Sequence, residues 1–154
     1  MRRISAVMMV LVLLTAAAPV IDAASKGVIS CTPADLEMLP ANWDIDDGAC
    51  VRVDLGVLSP GDTLSFDVNA NTDVDLLLFS ASSISVYQNE QNYRHDTVWQ
   101  VESVFESFTG EGTWHWTTPD DRGDTRWYIV LDNMAHPQDQ GNGAQGGSLA
   151  TVIL

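Results

Sequence analysis

An all-β fold, an antiparallel β-sandwich of seven or eight short strands, is predicted by three features of the chain. Apolar and polar residues alternate with period two in several segments, most clearly Leu64, Phe66 and Val68 against Ser65, Asp67 and Asn69. Clusters of Pro, Gly, Asn and Asp punctuate those segments at short intervals. The run Leu76-Leu77-Leu78-Phe79 does not alternate, as expected of a strand covered on both faces and central in its sheet. A jelly roll is the expected arrangement. The stretch Gly61 to Ser80, two strands around the polar turn Asn69-Ala70-Asn71-Thr72, organises the rest.

At 154 residues the chain has room for one domain with a substantial core. Residues 1–23 stand apart from it. Arg2 and Arg3 precede the apolar run Ile4 to Val20, which ends in small residues, the layout of a secretory signal cleaved after Ala23 or Ala24. An uncleaved anchor is the alternative, because the run approaches the length that spans a bilayer. A twin-arginine signal lacks its surrounding polar consensus, and a lipoprotein reading of Val28-Ile29-Ser30-Cys31 fails because Asp22 and Lys26 separate it from the apolar run. With no second run long enough to cross a membrane, the mature protein is expected to be secreted or at the cell surface.

The chain carries 7 basic and 21 acidic residues. Loss of Arg2, Arg3 and Asp22 leaves five against twenty, a net charge of −15. Such a surface repels nucleic acid and anionic lipid, leaving an extracellular protein or a glycan as the partner classes to consider. Cys31 and Cys50, the only cysteines, are expected to form a disulfide, worth roughly 3 kcal/mol by loop entropy.

Residues 24–50 form the first element, a disulfide-stapled cap with Trp43 packed inward and a short helical turn at Thr32-Pro33-Ala34-Asp35. The sandwich domain follows over residues 51–154. Val51 to Leu58 is a strand with Val51, Val53, Leu55 and Val57 on one face. Ser59-Pro60-Gly61-Asp62, with Pro and Gly central, fits a type II turn and a hairpin into the organising strands. Ile84 to Tyr87 is expected as an edge strand and Gln88 to Asp96 as a polar loop. Val98 to Phe108 satisfies both helical and strand spacing, and its β-branched and aromatic content favours strand. Thr113 to Thr117 places Trp114 and Trp116 on one face, and Trp127 to Asp132 is a second central strand. Asn133 to Gly147 is a long loop, and Ser148 to Leu154 the closing strand. Phe66, Val68, Leu76, Leu78, Trp116, Trp127 and Ile129 are the expected core.

Leu58-Ser59-Pro60-Gly61-Asp62, Asp73-Val74-Asp75-Leu76-Leu77-Leu78-Phe79, Trp114-His115-Trp116 and Trp127-Tyr128-Ile129-Val130 together resemble the order of motifs in pre-peptidase C-terminal domains. The GOLD domains of eukaryotic secretory proteins are more distantly similar. The resemblance covers roughly Val51 to Leu154 and implies a jelly-roll module of the kind attached to secreted enzymes. The family motif carries no catalytic residue, and no catalytic domain is expected beside the module.

The residues themselves offer little chemistry. No G-x-S-x-G occurs, and His95, His115 and His136 lack zinc-ligand spacing. Acidic pairs are too many for any one to mark a glycosidase. Asp44, Asp46 and Asp47 precede Gly48 as in calcium loops, but Leu55 stands where an EF-hand requires its twelfth-position acid, so this is a candidate calcium site of another kind. Asp73 and Asp75, at the entry of the central strand, could help a calcium site or accept backbone hydrogen bonds, and the structural role is preferred. Arg122-Gly123-Asp124 matches an integrin tripeptide and is read as ordinary loop chemistry. Trp114, Trp116 and Trp127 could stack on sugars, but their strand positions point to the core. No cofactor other than calcium is implied. The function expected is a non-catalytic binding or assembly module, with a small acidic hydrolase and a coat or filament subunit as alternatives.

Overall fold

The computed structural model describes residues 28–91, 104–137 and 150–153. Among these residues seven strands form an all-β sandwich: β1 (Thr32–Asp35), β2 (Asn42–Ile45), β3 (Ala49–Leu58), β4 (Thr63–Ser80), β5 (Val104–Thr117), β6 (Thr125–Asn133) and β7 (Ala150–Ile153). A 3₁₀ turn, Leu36–Met38, follows β1, and a helix α1, Ile84–Gln88, follows β4.

One strand generates both layers. β4 runs 18 residues, which fully extended would be about 60 Å, far beyond the width of one layer. It therefore bends. Asn69 and Ala70 pair with β7, whereas Asp75 to Ser80 pair with β6, and β5 follows the opposite edge through two register breaks at Ala70/Val74 and Val74/Leu76. The first layer carries β1, β3, β6 and the second half of β4; the other carries β2, β7 and the first half. Pairing is antiparallel except for β1 with β3, which is parallel.

The seven expected core residues lie between the layers and none exceeds 7% exposure. A second apolar cluster covers the outer face of the β3–β6–β4 layer, where Leu77, Phe79 and Val130 meet Ile84 and Tyr87 of α1 beside Cys31 and Cys50. Burial on both faces explains why Leu76 to Phe79 shows no alternation.

Five sequence expectations are corrected. Asn69 to Thr72 is no turn but the bend within β4, where Asn69 and Ala70 pair with both β5 and β7 before the register breaks. Ser59-Pro60-Gly61-Asp62 does turn, with Gly61 at φ +83° and the Asp62 N–H donating to the Ser59 carbonyl at 3.1 Å. It makes no hairpin, however, because β6 lies between β3 and β4. Thr32 to Asp35 is a strand, and the helical turn begins after it. Ile84 to Tyr87 is helical rather than an edge strand: Ser83 donates its N–H to the Ser80 carbonyl at 3.1 Å and accepts the Ser80 N–H on Oγ at 2.9 Å, which turns the chain. Ile84 and Tyr87, three apart, then bury one helical face. Val57 does not share the core face of β3 but stands exposed. Residues 98–103, 138–149 and Leu154 lie outside the described residues, as does most of the 88–96 loop.

Candidate functional site

Cys31 and Cys50 are bonded, with their Cα atoms 4.7 Å apart, and join the start of β1 to the start of β3. The segment they enclose contributes β1 and β2, one strand at the rim of each layer. Trp43 of β2 packs partly against the main core.

Asp44, Asp46 and Asp47 are all exposed. Asp44 accepts the Thr151 hydroxyl at 2.8 Å across the β2–β7 pair, and the Asp46 carbonyl accepts the Ala49 N–H at 3.0 Å in the turn that Gly48 completes at φ +75°. Among the described residues no group of three or more His, Cys, Asp or Glu is arranged to hold a metal ion. His95 lies outside the described residues, and His115 faces solvent on β5. Gly123 gives Arg122-Gly123-Asp124 a loop conformation at φ +60°. Trp114, Trp116 and Trp127 are buried, the last two edge to face with centroids 4.6 Å apart, so they form core rather than a sugar platform.

Asp73 is exposed and Asp75 wholly buried, its Oδ1 accepting the Ser107 N–H at 2.8 Å. Directly across the ladder stands Asp132, equally buried, whose Oδ2 accepts the Tyr87 hydroxyl at 2.6 Å and Oδ1 the Met134 N–H at 2.9 Å. The His136 ring stacks on Tyr87 at 5.0 Å, with Nε2 3.1 Å from the Tyr87 carbonyl oxygen. This cluster under α1 was not visible in sequence, because its members come from four segments. It closes α1 onto the sheet.

The accessible site is at the opposite rim, and it starts with one glycine. Gly56 adopts φ +77°, and the β3–β6 register slips between Asp54 and Gly56, leaving Leu55 as an extra residue. Asp54 Oδ1 caps the bulge by accepting the Gly56 N–H at 2.8 Å. The slip turns Val57 away from the face shared by Val51, Val53 and Leu55, and it stands 61% exposed. Two further large apolar side chains on the neighbouring 3₁₀ turn are exposed, Leu36 at 48% and Met38 at 54%.

The backbone beside them is also open. β1 pairs with β3 only as far as Asp35 opposite Asp54, and then leaves the ladder for the 3₁₀ turn. From Gly56 to Leu58, β3 has β6 on one side and, among the described residues, no strand on the other. A groove of about 360 Å³ runs there, between Asp35, Leu36 and Glu37 on one bank and Asp54, Gly56 and Arg126 on the other. Among the described residues Arg126 is the one cation that lines it, and it is bonded to Asp54. A second groove, of about 470 Å³, follows the β4–β5 pair, but its polar side chains engage one another, Asn69 with Glu111 and Thr113 with Asp67. The one sequence signal for the rim was Gly56 itself, a glycine inside an alternating strand.

Comparison with protein-family models, with curated proteins and with solved structures finds no match for this chain.

Proposed function

We propose that this chain is a non-catalytic β-sandwich module that acts outside the cytoplasm and binds a partner or contributes to an extracellular assembly. The observation that carries this reading is the rim of β3, where Leu36, Met38 and Val57 are exposed close together in sequence and fold, beside a stretch of β3 that no strand among the described residues pairs on that side. Large apolar side chains grouped at a sheet edge are an aggregation hazard on an isolated domain, and their natural use is contact.

Several features support the setting. The Cys31–Cys50 disulfide suits an oxidising compartment, and among the described residues no helix is long and apolar enough to cross a membrane. The N-terminal charge and hydropathy pattern is that of an export signal. The resemblance to pre-peptidase C-terminal domains suggests the same class of role.

The buried carboxylates argue against the hydrolase alternative. Asp75 and Asp132 spend their hydrogen bonds on Ser107, Met134 and Tyr87, where they hold the sandwich and its helix together. A broad substrate screen on the purified, oxidised protein tests the reading. No turnover above background is expected, and saturable binding to the surface fraction of the producing cells is. Turnover abolished by one carboxylate substitution that leaves the fold intact would overturn it.

A further inference from the structure

We infer that Met38 is an oxidation site for hydrogen peroxide, and that its sulfoxide switches the β3 rim from an apolar to a polar contact surface. The site itself rests on exposure and sulfur chemistry. The consequence for contact rests on the binding-module reading and adds how that contact is regulated.

Beyond residues 1–23 the chain has two methionines, Met38 and Met134, and the fold treats them oppositely. Met38 ends the 3₁₀ turn and is 54% exposed. The next residue anchors that turn: the Leu39 N–H donates to the Leu36 carbonyl at 3.0 Å, and the Leu39 side chain packs against the main core. Leu39 therefore takes the inward place and leaves Met38 at the surface. Met134 follows β6, its N–H donating to Asp132 Oδ1 at 2.9 Å, and its half-buried side chain packs against the apolar cluster beneath α1. The chain's two cysteines are bonded to each other and buried, so no thiol competes for the oxidant. Oxidation of a thioether follows access to its sulfur, so Met38 reacts first.

The step is an oxygen transfer. A lone pair on Sδ attacks one peroxide oxygen, and the S–O bond forms as the O–O bond breaks. The departing hydroxide takes the proton of the transferred hydroxyl and leaves as water, so the sulfur loses two electrons and the peroxide gains them. The product replaces a flexible apolar side chain with a polar one. Among the described residues four large apolar side chains are exposed, and three of them are Leu36, Met38 and Val57, so the oxygen arrives where the surface is most apolar. The turn survives the change, because a main-chain hydrogen bond and Leu39 hold it rather than Met38. At Met134 the same oxygen would enter the cluster that joins α1 to the sheet.

The test uses the purified protein with its disulfide formed, produced from the full chain and treated with dilute hydrogen peroxide. Peptide mapping by mass spectrometry follows each methionine, alongside retention on a hydrophobic-interaction column and the melting temperature. Met38 is expected to oxidise about tenfold or more faster than Met134. Retention should fall in step with Met38 sulfoxide, while the melting temperature holds until Met134 reacts. Met38→Leu should retain as the untreated protein does and lose the early response to peroxide. Met38→Gln, polar from the start, should show the low retention without peroxide. Binding to the surface fraction of the producing cells should fall by about threefold or more in the sulfoxide form and in Met38→Gln. Methionine sulfoxide reductases for both epimers should restore it in the former.

Equal rates at the two methionines, or earlier oxidation of Met134, would overturn the site. Unchanged retention, or unchanged binding by the fully converted sulfoxide form, would overturn the switch. Untreated protein that binds nothing on the cell surface would remove the module reading alone, with the rates and the retention still deciding the site and its change of surface.

Discussion

Tyr87 shows how much a single hydroxyl can hold. Its ring lies between Phe79, with centroids 5.2 Å apart, and His136 at 5.0 Å, and its O–H donates to the wholly buried Asp132. A buried carboxyl group is costly unless hydrogen-bonded, so this donor helps keep Asp132 tolerable beneath α1. Tyr87→Phe keeps the ring and removes the donor, and should destabilise the protein by about 1–3 kcal/mol. Tyr128, half-buried with the Arg52 guanidinium 5.2 Å from its ring centroid, is the control, and Tyr128→Phe should shift stability by no more than about 0.5 kcal/mol. Urea unfolding midpoints check the pair; equal losses would mean that the Tyr87 hydroxyl contributes nothing specific. In sequence Asp75 was legible as an acceptor of backbone hydrogen bonds, and it takes the Ser107 N–H. Asp132 was not legible, because its donor lies 45 residues away and no periodicity carries that distance.

At the scale of elements, legibility followed the number of covered faces. The first half of β4, β6 and the second half of β5 buried the residues that alternation or its absence assigned inward, because each has one plain inner face or two covered ones. What failed was local chemistry overruled by pairing partners. Asn69 to Thr72 has turn residues, yet Asn69 and Ala70 stay paired with both β5 and β7 and the chain continues as one strand. β1 contains Pro33 and only four residues, and its place beside β3 follows from the disulfide and the parallel register rather than from propensity. The bulge in β3 is the element whose disturbance is easiest to read. A Cβ at Gly56 would meet nothing within 4 Å, so the cost of Gly56→Ala comes from φ +77° alone, about 1–2 kcal/mol. Gly56→Asn should cost less, since Asn tolerates left-handed backbone better. Thermal or denaturant melts rank the two. If alanine proves neutral, the bulge is not what turns Val57 outward, and the account of the open rim needs another cause.

For the molecule as a whole, charge and the single crosslink set the conditions of stability together. A net charge of −14 opposes compaction, and the segment holding Asp44, Asp46 and Asp47 is tethered by a disulfide between residues 19 apart in sequence. Repulsion among exposed carboxylates fades as salt screens it, the Debye length being ~10 Å at 0.1 M. The oxidised protein should therefore melt at higher temperature as sodium chloride rises. Reduction should lower stability by about 3 kcal/mol, because the unfolded chain regains the entropy of an open loop. Once the tether is cut, β1 and β2 lose the covalent link that holds the start of this segment against β3, so these rim strands should lose amide protection before β6 does. Calcium distinguishes a site from a surface. An ion bound only by the folded state adds stability that grows with its concentration, whereas an acidic surface responds to calcium only through ionic strength. Melting curves with and without reductant, in low salt, in calcium and in sodium matched for ionic strength, separate these effects. A calcium increment above the matched sodium curve, lost when Asp46 and Asp47 are changed to Asn, would establish the loop as a metal site. Superimposed curves would leave Asp44, Asp46 and Asp47 as part of the general acidic surface, held in place by the β2–β7 pair, the Gly48 turn and the disulfide.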